Sequence, residues 1–402
     1  MKLNKPSSNA SGQPEGALRA FLRTEASSSV LLACGALIAL VWANSPWGST
    51  YDDVWSHDLH LVFGNVSFFL DARHWVNDAV MTIFFLVVGL EIKHELTKGH
   101  LNNVRAALMP CVAALGGMVV PALVYLAIAG ETEPRGWAIP VATDIALAVG
   151  ALAVVGGRVP PSGRVFLLAL AIVDDIGAIV VIAVAFSKNL QFLWLAVAAF
   201  CVGLTLILQK LSVGSLIPYV ALGILMWCGL YQAGVHPTLA GVVMGLLAPP
   251  SISPASEAES LIQWLQRILH PWSSFVIVPI FALANAGVRI TADTFGSAVR
   301  SPLTWGVFLG LLIGKPLGVS VSTRLASRFG VAELPTGLSR RQVTGLGSTA
   351  GIGFTVAMFI TELALSNDGD VANAKLAIFV ASLLSAVAGV SLLRSRLTSA
   401  NS

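Results

Sequence analysis

The sequence predicts an all-α protein that crosses a membrane many times. Hydrophobic residues make up 55% of the 402 residues, charged residues only 11%, and the mean hydropathy is +0.79. A soluble domain carries about 25% charged residues. Apolar runs of roughly 17 to 25 residues, the length that a bilayer core requires, recur along the whole chain. The composition therefore indicates a polytopic membrane protein.

We predict about twelve transmembrane spans from these runs. Their approximate limits are 27–44, 76–95, 104–128, 136–154, 163–186, 191–208, 216–231, 234–248, 259–287, 302–324, 343–365 and 372–393. The eighth span is short, and the ninth begins with an amphipathic turn. The first run has an alternative interpretation as a secretory signal, because Arg19 and Arg23 precede its apolar core. The long polar leader and the poor cleavage site WANS argue against that alternative.

The distribution of basic residues gives the spans a direction. With twelve spans and a cytoplasmic N-terminus, most of the 24 basic residues fall on the cytoplasmic side, as the positive-inside rule predicts. The residues assigned to the outer side are Arg73, Arg135, Lys188, Arg289, Arg300 and Lys375. We expect cytoplasmic tails over 1–26 and 394–402, with one transmembrane domain over 27–393.

One extramembrane segment, at about 55–71 on the outer side, has a strand pattern. The β-rich runs 59–63 and 66–70 are joined by Gly64 and Asn65, a two-residue link suited to a tight turn. A lone two-stranded hairpin is marginal in water and exposes an edge. We expect it to pair with the hairpin of a second copy in a homodimer. An amphipathic loop on the lipid surface is the alternative.

The fourth span contains residues that interrupt a helix near mid-depth. They are Pro140, Thr143 and Asp144. Non-helical backbone at membrane depth is tolerated only where it is buried in protein or lines an aqueous cavity. The positive N-terminal end of a half-helix there would need a counter-charge, which Asp144 is placed to supply. We therefore expect helix 4 to be unwound.

The eleventh span carries a matching interruption. Its glycines are Gly345, Gly347, Gly351 and Gly353, and we place a flexible link at 348–350. Paired interruptions in matching positions of two halves indicate the ion site of a transporter. The triplets of spans 3–5 and 10–12 would have opposite orientations, so we expect an inverted repeat with helices 4 and 11 crossed. Helix-packing contacts are the alternative for Gly347 and Gly351.

Ionisable residues inside the spans are the strongest pointer to function. The acids are Asp78, Asp144, Asp174 and Asp175, and the cation is Lys315, which could offset the negative ends of the broken helices. Each charge costs about 2.5 to 3.5 kcal/mol on insertion scales, so such residues usually belong to ion or proton pathways. The sequence therefore predicts a protein that handles charge across the bilayer.

The adjacent pair Asp174 and Asp175 is the candidate for the chemistry. Neighbouring residues on a helix point about 100° apart, so the two carboxylates should have different roles. Two ionised carboxylates in a partly dry site repel, which favours protonation of one and allows a proton to be exchanged for a cation. Carboxylates, the Thr143 hydroxyl and freed carbonyls suit a hard metal ion such as Na⁺ or Li⁺. A structural ion pair with Lys315 is the alternative.

Other classes of function fit the sequence less well. The basic residues form no stripe, so no nucleic acid partner is expected. The cysteines lie in apolar runs at irregular spacing, which suggests neither disulfides nor zinc. A cation channel would need a filter, and no repeated filter motif is present. An intramembrane aspartyl protease could pair Asp144 with Asp174 or Asp175, but the GxGD sequence is absent. We keep both alternatives, and expect no enzyme activity and no cofactor.

Several motifs occur together in the order of a known family. They are WVNDAVM, GLEIKHEL, ATDIALAVGALA, ALAIVDDIGAI, GVHPTLAG, LHPW followed by ALANAGV, IGKPLG and GIGFT. With these motifs the chain resembles the NhaA-type sodium/proton antiporters of bacterial inner membranes over about residues 18–393. The resemblance implies twelve helices in inverted repeats and electrogenic exchange of Na⁺ or Li⁺ for protons.

The resemblance also implies roles for individual residues. Asp175 corresponds to the main ion-binding and proton-carrying aspartate, and Asp174 to the neighbour that pairs with Lys315. Asp144 and Thr143 match the unwound part of helix 4. The acid that lines the ion path is matched by Asp78.

Activation at alkaline pH is a further implication of the resemblance. The candidates for sensing pH are Glu91, Glu95, His94 and His236. Glu91 and Glu95 are four residues apart and so share one helix face. Charged residues expected near LHPW and GVH are replaced here by Gln263, Gln266 and Gln232. With fewer coupled titrations, we expect a shallower pH response.

Overall fold

The protein is described by a computed structural model over residues 13–63, 66–249 and 261–395. These residues are mostly helical and include one two-stranded sheet. Nine helical segments among them are long and apolar enough to cross a membrane. The chain is therefore a multi-pass membrane protein, as its composition predicts.

The nine segments correspond closely to predicted spans. They are Ala26–Ala43, Ala72–Thr97, Val104–Ala129, Pro134–Arg158, Pro161–Ala185, Phe192–Lys210, Leu261–Asn285, Pro302–Arg328 and Asp368–Arg394. A tenth candidate is the pair Arg340–Ala350 and Phe354–Ala364, which is bent by 48° at its break. The short helices outside these segments, within the described residues, are Gly48–Trp55, His100–Asn102, Ile217–Ala233, Leu239–Leu246 and Ala292–Arg300.

The count of twelve spans stays a prediction. The seventh predicted span is the apolar helix Ile217–Ala233, which has 17 residues. The eighth is represented by Leu239–Leu246, which has only 8 residues and is therefore about 12 Å long. The amine of Lys93 donates a hydrogen bond of 2.6 Å to the carbonyl of Ala248, just beyond this helix.

The first helix begins earlier than the hydropathy predicts. It runs over Gln13–Ala43, so it extends into the segment 1–26 that we assigned to a tail. The stretch before the apolar run is rich in Ala, Leu, Arg and Glu, which are good helix formers. Hydropathy detects only the apolar part of such a helix, and that part, Ala26–Ala43, matches the first predicted span at 27–44.

The extramembrane segment contains two antiparallel strands. They are Asp58–Phe63 and Val66–Asp71, with Phe63 opposite Val66, and each is one residue longer than predicted. The link at residues 64–65 lies outside the described residues. The carboxylate of Asp71 accepts a hydrogen bond of 2.7 Å from the backbone N–H of His74. Asp71 thereby caps the helix that continues into Ala72–Thr97.

Tyr51 fixes this region against the helical domain. It lies on the helix Gly48–Trp55, which the sequence did not predict. Its hydroxyl is 2.9 and 2.8 Å from the carbonyls of Leu283 and Ala284. Burial raises the pKa of Tyr51 to about 12, so the hydroxyl remains a donor. The loop after the first span is thus anchored to the end of Leu261–Asn285.

Three of the membrane segments contain a π-helical turn among the described residues. The turns are Val76–Val80, Ser273–Ile277 and Gly310–Gly314. π-turns are rare and occur frequently at functional sites. The first contains Asp78, and the third ends directly before Lys315. This feature was not predicted from the sequence.

Candidate functional site

The first break lies in the fourth predicted span, where helical structure changes type. A 3₁₀-helix, Pro134–Val141, is followed by the α-helix Ile145–Val155. The residues between them include Ala142 and Asp144, both with extended backbone angles. The positions expected to interrupt this span therefore lie at the break, with Pro140 in the last turn of the 3₁₀-helix.

The second break lies at residues 351–353, three residues after the predicted link. The prediction of a link at 348–350 is wrong, because Ser348 and Thr349 belong to the helix Arg340–Ala350. Their hydroxyls donate back to the carbonyls of Thr344 and Leu346 at 3.0 and 2.8 Å, which helical geometry provides. Helicity is lost only at the glycines that follow.

Gly347 has a packing role rather than a place in the second break. A Cβ atom there would lie 3.1 Å from Pro316 and from Val319 on the neighbouring helix Pro302–Arg328. The alternative interpretation of helix packing thus holds for Gly347. Gly351 begins the break, and a Cβ there would lie 2.6 Å from the carbonyl oxygen of Leu311.

The two breaks contact each other directly. The backbone N–H of Asp144 donates a hydrogen bond of 2.6 Å to the carbonyl of Ile352. The hydroxyl of Thr143 donates one of 2.8 Å to the carbonyl of Ala350. Backbone groups released by unwinding must find partners inside the protein at membrane depth. The first break therefore donates both hydrogen bonds, and carbonyls at the second break accept them.

Asp144 caps a half-helix on either side of this contact. Its Oδ1 accepts a hydrogen bond of 3.0 Å from the N–H of Leu147, near the start of Ile145–Val155. Its Oδ2 accepts bonds from the N–H and hydroxyl of Thr355, at 3.0 and 2.7 Å, near the start of Phe354–Ala364. The carboxylate thus faces two positive helix ends, which is the location expected for a counter-charge. Thr355 was missed by the sequence analysis.

Lys315 meets both a carboxylate and a helix C-terminus. Its side chain is completely buried, and its Nζ lies 2.7 Å from Oδ2 of Asp174, which is also completely buried. The amine also donates to the carbonyl of Val141, the last residue of the 3₁₀-helix. A cation at this end opposes the negative end of the helix dipole.

Asp174 and Asp175 face different surroundings. Both lie on the helix Pro161–Ala185. Asp174 faces Lys315 through its Oδ2 atom. Asp175 lines a small cavity instead. The different roles expected from their helical spacing thus have a geometric basis.

The cavity beside Asp175 has a volume of about 70 Å³. This is enough for about two water molecules. Of the predicted site residues, Thr143, Asp144, Asp175 and Glu91 line it. The sequence analysis missed further polar residues in its wall, namely Ser28, His270, Ser273 and Ser274. In the sequence, each of these residues is a polar side chain within an apolar span, and that feature could have identified them.

The predicted pH-sensing residues do not form one group. Glu91, His94 and Glu95 lie near the end of Ala72–Thr97, and Glu91 reaches the cavity. His236 instead has its Nε2 3.5 Å from Oδ1 of Asp78, in the π-turn near the other end of that helix. Asp78 is about 20 Å along the helix from Glu91. The structure therefore separates His236 from the glutamates and places it with the predicted ion-path acid.

A second buried ion pair corrects our inventory of intramembrane charges. Lys375, which we assigned to the outer surface, is buried, and its Nζ lies 2.5 Å from Oε1 of Glu362. Glu362 was not recognised as an intramembrane acid. The two residues lie on successive helices, Phe354–Ala364 and Asp368–Arg394, close to the loop that joins them. Loop assignment by hydropathy treats such terminal charges as solvated, although tertiary packing buries them.

We expect Lys375→Ala to destabilise the protein by about 3 kcal/mol. This value is near the lower end of the range for breaking a buried ion pair, because the Glu362 side chain remains partly exposed. The measurement is the melting temperature in detergent, with the exposed Lys188→Ala as the matched control. A variant that melts with the control would show that the pair contributes nothing.

Comparison with known proteins identifies the family of this chain. The sequence profile of the Na⁺/H⁺ antiporter 1 family matches residues 19–393. The Na⁺/H⁺ antiporter NhaA 2 of Sorangium cellulosum is 42% identical, over 92% of this chain and 88% of the relative. The Na⁺/H⁺ antiporter NhaA of Salmonella paratyphi B is 43% identical, over 94% of this chain and 98% of the relative. The chain therefore belongs to the Na⁺/H⁺ antiporter 1 family.

Proposed function

We propose that this protein exchanges cytoplasmic Na⁺ or Li⁺ for external protons across the bacterial inner membrane. The family is one of transporters, so the protein is an antiporter and not an enzyme. The observation that carries the mechanism is the position of Asp175 in the wall of a small cavity, beside the Lys315–Asp174 pair and the two contacting breaks.

The exchange follows from competition for the same carboxylates. A bound Na⁺ requires ionised oxygens, whereas the return step carries protons on those groups. Asp175 is the main ligand and proton carrier, and Asp174 joins it when its bond to Lys315 is released. More protons than metal ions cross in a cycle, which makes the exchange electrogenic.

The breaks supply both ligands and mobility. Oxygen donors suit a hard cation, and the Thr143 hydroxyl together with carbonyls of the unwound residues adds to the carboxylates. Helices 4 and 11 cross at the breaks within an inverted repeat of twelve helices, and alternating access moves this region around the ion. Asp144 stabilises the crossing through its bonds to Leu147 and Thr355. Asp78 lines the path on the outer side.

The alternative functions lack a matching observation. An aspartyl protease needs two carboxylates that share a water molecule, but both oxygens of Asp144 accept hydrogen bonds from half-helix ends, and Asp174 is paired with Lys315. A channel would leave the cation cavity open across the membrane. These contacts favour a closed site that changes sides.

The termini lie in the cytoplasm in this proposal, and the strands lie on the outer side. There the strand pair joins the same pair of a second copy, and membrane lipid surrounds the helices. Deletion of residues 58–71 should convert a dimer to a monomer in detergent, measured by light scattering. A dimer that survives the deletion would exclude this interface.

The exchange is tested in everted membrane vesicles that carry a pH gradient. Addition of Na⁺ or Li⁺, but not K⁺, should discharge the acidic interior. The control is vesicles that lack the protein. Absence of any response between about pH 6.5, near the ordinary pKa of histidine, and about pH 9 would exclude the function.

The pH response should depend on the number of ionisable groups near the cavity entrance. Gln266 lies on the segment that carries His270 and Ser273. We expect Gln266→Glu to steepen or shift the pH profile, because an added titrating group couples to the others. Gln266→Asn is the neutral control. Identical profiles at saturating Na⁺ would place the whole pH response in the ion site itself.

A further inference from the structure

We propose that Ser273 and Ser28, with Glu91, form a subsite beside Asp175 in which the cation exchanges part of its water for protein oxygens. The inference deepens the proposed exchange function and rests on it. All three side chains line the cavity that contains Asp175. No candidate residue from the sequence analysis other than Glu91 belongs to this subsite.

The size of the cavity sets the requirement. A volume of about 70 Å³ holds about two waters, fewer than the shell of a hydrated cation. A cation held inside this space exchanges part of its water shell for protein oxygens. Hydroxyl and carboxylate oxygens are suitable hard ligands. Ser28 and Ser273 supply hydroxyls in this wall, and Glu91 supplies a carboxylate.

Ser273 lies at the start of one of the three π-turns. The turn Ser273–Ile277 is followed by Pro279, which has no N–H to donate to the carbonyl one turn earlier. The other two π-turns adjoin the intramembrane charges Asp78 and Lys315. A π-turn costs regular hydrogen bonding and is frequent at functional sites. The turn Ser273–Ile277 contains no charged residue, and its distinguishing feature is that Ser273 and Ser274 line the cavity.

The position of Ser28 is fixed by a contact of the neighbouring residue. It is 1% exposed, on the first helix. The next residue, Ser29, donates a hydrogen bond of 2.5 Å to the carbonyl of Ala146, two residues after Asp144. Close contact continues one turn later, because a Cβ on Gly150 would lie 2.6 Å from the Ser29 hydroxyl oxygen. The first helix thus presents Ser28 at a fixed position beside the first break.

The test compares Ser273→Ala and Ser273→Cys with the parent in everted vesicles. Both variants remove the oxygen, and the cysteine variant keeps the shape of the side chain. We expect the apparent KM for Na⁺ to rise about tenfold, the effect of one lost ligand worth about 1.4 kcal/mol, with maximal discharge unchanged. Ser28→Ala should act in the same direction. Ser382→Ala, a buried serine on the helix Asp368–Arg394 outside this cavity, is the matched control.

The outcomes separate the subsite from the function. If the parent exchanges Na⁺ and both Ser273 variants have a KM within about twofold of the parent value, the subsite is excluded but the exchange function is not. Equal losses of maximal discharge in the Ser273 variants and in Ser382→Ala would indicate general damage and would also overturn it. A parent that does not exchange Na⁺ would remove the function and the subsite together.

Discussion

Replacement of Asp175 by asparagine is expected to abolish exchange at every pH while the protein remains folded and inserted. The amide keeps the size of the side chain, but it cannot carry a proton or balance the charge of Na⁺. The measurement is Na⁺-driven discharge of everted vesicles, with the protein quantified in the membrane. The exposed Asp293→Asn, on Ala292–Arg300, is the matched control.

Substantial Na⁺-driven proton movement by Asp175→Asn would remove this residue from the centre of the mechanism. The cation would then have to be held by Asp174 and Asp144 alone. That outcome is hard to reconcile with the hydrogen bonds that occupy both oxygens of Asp144.

Replacement of Lys315 by alanine is expected to lower both stability and transport. Removing one partner of a fully buried pair leaves the other charge stranded, at a cost of about 3 to 5 kcal/mol. Loss of the bond to Val141 also leaves a helix end without its counter-charge. The measurement is the melting temperature of the purified protein, and Lys210→Ala at the surface is the control.

A second variant separates charge from packing at Lys315. The double variant Lys315→Ala with Asp174→Asn should melt above Lys315→Ala alone, because the stranded carboxylate is gone. Lys315→Arg should keep the fold but shift activity to higher pH, since guanidinium does not deprotonate in proteins. If Lys315→Ala is as stable as the parent, the ion pair contributes no stability.

The residues at the centre of the site could be predicted from the sequence because charge is scarce inside the spans. Asp144, Asp174, Asp175 and Lys315 each lie in an apolar run, and the structure brings them to one region around the two breaks. A buried charge needs a partner, so few arrangements of these residues are physically acceptable. The helical spacing of Asp174 and Asp175 also predicted their different surroundings.

The supporting residues could not be predicted, because their positions depend on tertiary contacts. Ser28 and Ser273 lie far apart in sequence and share a wall only when the first helix packs near the π-turn. The π-turns change the spacing of the backbone hydrogen bonds, which hydropathy does not detect. The pairing of Glu362 with Lys375 depends on how two successive helices meet. The position of the second break was misplaced because Ser348 and Thr349 stay helical.

The central claim is that Na⁺ and protons compete for the carboxylates at Asp174 and Asp175. The most direct test is proton release from the purified protein in weakly buffered detergent solution when Na⁺ is added. We expect release by the parent, an apparent Na⁺ affinity that weakens as pH falls, and no release by Asp175→Asn. Binding of Na⁺ by the parent without proton release, at an affinity independent of pH, would contradict the account.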